Sequence, residues 1–164
     1  MIFLITLVFV SSNPQVSIEH LKNKDFQVDF TERISYENSN IVDTFSGTLI
    51  RTDKTIEMQV EYPDKTVYRL KGDTLWTYSP ESGDSSCDVI PGVYKWLDFS
   101  YILNDSVFKV ILDYQNSLIT ILPRDTLSQF KEAHLILRDS LVKELEIKLE
   151  DRSIYFEFSN WRFL

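Results

Sequence analysis

At 164 residues the chain is the size of one domain and long enough to bury a core without disulfides or a metal. Its 17 lysines and arginines are scattered singly among 25 aspartates and glutamates, and the formal charge of −8 leaves no basic stripe for nucleic acid. A single cysteine excludes an internal disulfide.

Met1 to Val10 form an apolar run of about ten residues, followed at once by Ser11-Ser12-Asn13-Pro14. Such a run is too short to span a bilayer and suits the apolar core of an export signal with small residues at the cleavage site. Residues 1–12 are therefore expected to be an export signal, although no Lys or Arg precedes the run, and residues 13–164 a single exported domain. A buried first strand is the alternative for this segment. No cysteine lies near Ser11 or Ser12 to accept a lipid. Val16 to Lys24 then predicts a short amphipathic helix, with Ser17 as its N-cap and Ile18 and Leu21 on one face.

Period two takes over next. Phe26, Val28, Phe30, Ile34 and Tyr36 alternate with Gln27, Asp29, Thr31, Arg33 and Ser35, the pattern of a strand buried on one face and wet on the other. The same alternation returns in Ile56, Met58, Val60 and Tyr62, in Phe108, Val110, Leu112 and Tyr114, in Leu145, Ile147 and Leu149, and in Ile154, Phe156 and Phe158. Parallel strands would be apolar on both faces, so these predict an antiparallel sheet with one solvated face. Short turns of Asn, Asp, Ser and Pro every eight to fifteen residues or so predict a meander curling toward a barrel. Phe30, Met58, Val60, Phe108 and Val110 are expected to face inward with no like-facing charge beside them. Gly72 to Pro80 adds a glycine turn, a strand with Trp76 and Tyr78 at alternate positions, and a proline stop. Cys87, in Asp84-Ser85-Ser86-Cys87-Asp88, reads as an inert thiol in a polar turn.

One segment breaks the rhythm. From Pro91 to Asn104 apolar residues fall on nearly every side of any helix drawn through the chain. A helix apolar all round must be covered on more than one face. It is either a core helix plugging the sheet or a lid over an apolar cavity, and Trp96, Phe99 and Tyr101 are its candidate contacts.

Catalytic constellations are not found. His20 and His134 have no Asp, Glu or Cys at metal-ligand spacing, and no phosphate loop, nucleophile elbow or zinc-protease motif occurs. Glu144, Glu146 and Glu150 project to the wet face of their strand, and no carboxylate pair suited to general acid and base work is evident.

Several blocks together resemble the periplasmic outer-membrane lipoprotein carrier family, LolA. A short helix leads into Phe30-Thr31-Glu32, similar to that family's Phe-Thr-Gln; Phe45-Ser46-Gly47-Thr48-Leu49 resembles its Gly-x-Leu strand; and Gly72-x-Thr-Leu-Trp-x-Tyr-x-Pro80 is the most specific block. Leu118 to Pro123 and the closing Phe156-Glu157-Phe158-Ser159 complete the likeness. One departure stands out. Many members carry an Arg-Pro pair where this chain has Arg51-Thr52-Asp53-Lys54, so Arg51 or Lys54 is the candidate for partner binding at that edge.

The resemblance implies a mainly β, open antiparallel half-barrel with a helical lid over an apolar concave face, without enzymatic activity, cofactor or metal. It implies a soluble, monomeric periplasmic chaperone whose cavity, formed by Phe30, Leu49, Met58, Val60, Trp96, Phe99, Tyr101, Phe108 and Val110, holds the acyl chains of lipoproteins. The partners it implies are acylated lipoproteins, an inner-membrane lipoprotein-releasing ABC transporter and an outer-membrane acceptor. A lipid-binding or small-ligand sensor of the same shape, without transport, is the alternative from a different class.

Overall fold

The computed structural model describes residues 14–89, 93–124 and 129–164, so the expected export segment lies outside the described residues. Helix α1 (Pro14–Asn23) is followed by six strands: β1 (Phe26–Tyr36), β2 (Val42–Thr52), β3 (Thr55–Tyr62), β4 (Thr66–Lys71), β5 (Thr74–Tyr78) and β6 (Ser85–Val89). A 3₁₀ turn (Val93–Leu97) and the short helix α2 (Phe99–Ile102) come next. Five strands close the chain: β7 (Phe108–Asp113), β8 (Leu118–Pro123), β9 (Phe130–Arg138), β10 (Leu141–Leu149) and β11 (Arg152–Phe163).

All eleven strands join one antiparallel sheet in the order β6-β5-β4-β3-β2-β1-β11-β10-β9-β8-β7, and the sheet does not close on itself. Two meanders are therefore zipped together where the first strand pairs with the last, Phe30 opposite Phe158 and Ile34 opposite Ile154. This topology dictates the position of the helical segment. The chain leaves one meander at an edge strand, β6, and enters the other at the opposite edge strand, β7, so its connection has to cross a face of the sheet.

That face is the apolar one. Along β1, Phe26, Val28 and Phe30 are buried, and they register with Leu49 on β2 and Phe158 on β11. Ile56, Met58 and Val60 on β3, Leu145 and Ile147 on β10, and Ile154 and Phe156 on β11 continue the same surface. Period-two alternation gave the strand assignment, and burial of alternate residues follows it.

Three local expectations are corrected. α1 begins at Pro14 rather than at a Ser17 cap, because proline suits the first helical position, where its missing N–H costs nothing. Cys87 lies within β6, opposite Trp76, rather than in a turn, though it is exposed. The segment from Pro91 to Asn104 is not one helix, since its described part breaks at Asp98. There the backbone is extended, and the carboxylate accepts from the Ser100 N–H at 3.0 Å and from its hydroxyl at 2.6 Å, capping α2.

Candidate functional site

Two aromatic clusters fasten the crossing segment to the sheet. Phe99 of α2 is fully buried, its ring 5.8 Å from Phe26, 6.1 Å from Phe158 and 6.2 Å from Trp161. Trp161 is fixed in turn by its indole N–H, which donates to the Val142 carbonyl at 2.9 Å. On the other side the Trp96 ring lies tilted 4.2 Å from Phe130 and 5.5 Å from Phe108, and Tyr101 meets Phe108 edge-on at 5.5 Å. Lys95 is ion-paired with Asp73 in the β4–β5 turn and lies over the Tyr101 ring. A helix of four residues has too little backbone bonding to stand alone, so side-chain docking holds it.

Beneath this cover a cavity of about 100 Å³ remains, lined by Glu32, Ile34, Met58, Trp96, Leu97, Ile147, Arg152, Ile154 and Phe156. The register places it toward the end of the sheet that carries the β1–β2 turn, because Ile34 and Arg152 both lie there. Exposed Ile41, Val42 and Tyr62 sit at that same end. Small-molecule sites usually measure about 300–1,000 Å³, so the cavity as it stands is closed to anything but a fragment.

The nine residues expected to line an acyl cavity fall into three groups. Met58 and Trp96 line the cavity itself, while Phe30, Leu49, Val60, Phe99 and Phe108 are buried in the surrounding core. Tyr101 and Val110 are half-buried and pack against that core. Of the two candidates for partner binding, Lys54 is exposed in the β2–β3 turn. Arg51 is buried at 6 % exposure, and its guanidinium donates to the Leu21 and Lys22 carbonyls, each at 2.7 Å. These are carbonyls at the C-terminal end of α1 that lack partners within the helix, and a cation there also complements the helix dipole. Replacing Arg51 with Met is expected to cost about 2–3 kcal/mol in urea denaturation and to speed amide exchange in α1, because two charge-assisted bonds are lost and two carbonyls stranded.

Glu32 was not anticipated. The expectation that no charge shares the inward face with Phe30 is corrected, for Glu32 lies two residues further along the same strand, opposite Phe45 and Phe156. Burial pushes its carboxyl up to about 7. Burial also raises the Tyr68 hydroxyl, and the nearby Glu32 charge raises it further. The sequence signal was available: position 32 falls on the even, inward register of β1.

The aromatics of the most specific sequence block face the other way. Leu75 is buried while Trp76 and Tyr78 are exposed on the outer face, where they line a shallow groove of about 780 Å³ with Thr52, Thr55, Arg69, Lys71 and Cys87. Arg69 is held there by Glu57, its Nε and Nη2 donating to one carboxylate oxygen at 2.9 and 2.6 Å. His134, also outside, sits between Glu132 and Glu146, and Glu132 is bonded to Lys148 at 2.8 Å. Among the described residues no group of three or more His, Cys, Asp or Glu could hold a metal ion, and no helix is long and apolar enough to cross a membrane.

No known family pattern and no curated protein matches the chain. Solved structures do. A LolA superfamily protein from Nitrosomonas europaea is similar with a TM-score of 0.54 at 10% identity, covering 93% of this chain and 94% of that one. Lipoprotein LppX of Mycobacterium tuberculosis has a TM-score of 0.46 at 14% identity over 90% and 92%. An outer membrane lipoprotein-sorting protein domain from Vibrio parahaemolyticus has a TM-score of 0.45 at 8% identity over 92% and 90%. The chain has a LolA-like fold.

Proposed function

We propose that this protein is a periplasmic carrier that shelters the acyl chains of lipoproteins between its sheet and its crossing segment while they pass from the inner to the outer membrane. The observation that carries the reading is the construction of the cover. Strands of an ordinary β domain bury their apolar face against a second sheet or a long helix. Here part of a wide apolar face lies under α1, through the buried Ile18 and Leu21, and part under a 3₁₀ turn and a four-residue helix, docked among the described residues through side chains such as Trp96 and Phe99. Such a cover exchanges its contacts with the sheet for contacts with a chain at little cost in backbone bonding. A small residual cavity marks where the exchange would begin.

The energetic scale fits. Burial of acyl carbon is worth about 0.8 kcal/mol per methylene, so a sixteen-carbon chain gains roughly 12 kcal/mol on leaving water. No aqueous crossing is possible without an apolar host. Met58 on the cavity wall supplies a side chain that adapts to ligands of varied shape. The LolA superfamily name of the similar structure from Nitrosomonas europaea agrees with this reading. Export through the apolar segment at residues 1–12 would bring the chain to the periplasm, with an inner-membrane releasing transporter as donor and an outer-membrane acceptor as destination.

Native mass spectrometry of protein purified from the cell envelope tests the proposal. A mature chain starting near Asn13 with a co-purifying acylated polypeptide is the expected result. A chain that never carries an acylated polypeptide would contradict the carrier role, and a bound free lipid in its place would favour a lipid sensor.

A further inference from the structure

The cavity is not uniformly greasy, and its two polar side chains have a chemistry of their own. Glu32 and Arg152 line it with seven residues that are all apolar: Ile34, Met58, Trp96, Leu97, Ile147, Ile154 and Phe156. Both polar groups come from the centre of the sheet, where β1 pairs with β11, and they lie toward the end at which Ile41, Val42 and Tyr62 are exposed. A carboxyl group in such surroundings is costly for folding unless something requires it. Fixing α1 is the task of Arg51, and surface charge is abundant elsewhere, so neither explains Glu32.

We propose that Glu32, with Arg152 on the same cavity wall, forms a head-group subsite that takes an amide-linked acyl chain. The inference rests on the reading of the cavity as an acyl site and adds the chemistry of the group at the end of the chain. Burial favours the protonated carboxyl near neutral pH. In that form Glu32 offers a carbonyl acceptor and an O–H donor side by side. A secondary amide is trans and presents its N–H and its carbonyl on opposite edges, so its N–H donates to the Glu32 carbonyl while its own carbonyl is left for another donor. An ester lacks the N–H and leaves the Glu32 acceptor unmatched in a site from which the ligand has displaced water, a mismatch more discriminating than any small difference in apolar contact. Arg152, whose Nε donates to Asp151 at 3.2 Å, supplies further guanidinium donors for a carbonyl or anionic oxygen of the head.

Amide-linked chains occur on acylated polypeptides and in lipids built on an N-acylated base, and the test separates these sources. Calorimetric titration at pH 6 would compare an N-palmitoyl dipeptide, the corresponding palmitoyl ester in which oxygen replaces the N–H, and an N-palmitoyl ceramide, so that the three carry the same acyl chain. Wild-type protein is expected to bind the N-palmitoyl dipeptide about tenfold more tightly than the ester. Glu32→Gln keeps a carbonyl and an N–H side by side and should retain that preference. Glu32→Leu should bind both dipeptide probes with the preference lost. Tighter binding of the dipeptide than of ceramide points to a polypeptide source, and the reverse order to a lipid.

A wild-type protein that binds amide and ester equally, or a Glu32→Leu variant that keeps the preference, would overturn the subsite while leaving the acyl cavity standing. Failure of the wild type to bind any of the three probes would instead overturn the acyl-site reading on which the subsite rests.

Discussion

Phe99→Ala is expected to lower stability by about 3–5 kcal/mol, because it removes a fully buried ring that contacts Phe26, Phe158 and Trp161. The loss falls on a helix with little else to hold it. Asp98 caps α2, and Ile102 is buried beside Phe99, but four residues make no self-sufficient helix. Residues 93–103 should exchange their amide protons by local opening much faster than in the wild type, while β1 and β11 should lose protection only by the fall in global stability. Ligand binding should move in the opposite direction. If loading requires the cover to undock, a variant already undocked escapes that cost, and its apparent affinity for an acyl probe rises. Urea denaturation and hydrogen exchange on the same variant check both parts. A loss below about 1 kcal/mol with unchanged exchange in the segment would show that Phe99 does not hold it.

Glu32 should make the protein less stable as pH rises across the neutral range. Its carboxyl titrates at the ordinary glutamate value of 4.5 when unfolded and is raised by burial to about 7 in the fold. Between these values the folded chain keeps a proton that the unfolded chain has released, so stability falls with increasing pH and the full penalty is present above 7. A shift of this size corresponds to roughly 3 kcal/mol, and partial exposure of the side chain reduces the expectation to about 2 kcal/mol. Glu32→Gln should abolish this contribution, leaving the variant more stable than the wild type at pH 8 and nearly equal to it at pH 4. Carboxylates that pull the other way, such as Glu132 held down by its bond to Lys148, titrate below this window. Equal pH dependence in the two proteins between 5 and 8 would mean that the Glu32 carboxyl is not desolvated.

How far these features could be read from the residues differs with the range of the interaction involved. β1, β3, β10 and β11 were legible because alternation of apolar and polar side chains is a local consequence of strand geometry. The same averaging hid Glu32. One polar residue in a run such as Phe26, Val28, Phe30, Ile34 and Tyr36 leaves the period intact, and the pattern cannot say that the exception faces a cavity. β5 carried apolar residues on both faces, Leu75 on one and Trp76 with Tyr78 on the other. Which set is buried was decided by the pairing of Leu75 with Leu70. Arg51 was beyond sequence reasoning altogether, since its bonds reach helix carbonyls 29 and 30 residues away and exist only once α1 has docked. The crossing segment was legible as an exception to the strand pattern. Its break at Asp98 follows from the cap that Asp98 and Ser100 form together.

The central claim is that an acyl chain enters beneath the crossing segment rather than lying in the larger groove on the outer face. The tryptophans report directly on the two places, because Trp96 lines the inner cavity and Trp76 the outer groove. With Trp161 replaced by Phe in both, one variant would retain only Trp96 and the other only Trp76, and each would be titrated with an N-acyl dipeptide whose chain is brominated near its middle. Bromine quenches indole fluorescence only at close range. The account predicts saturable quenching of Trp96 and no quenching of Trp76. Quenching of Trp76 with Trp96 unaffected would place the chain outside the sheet and contradict the account.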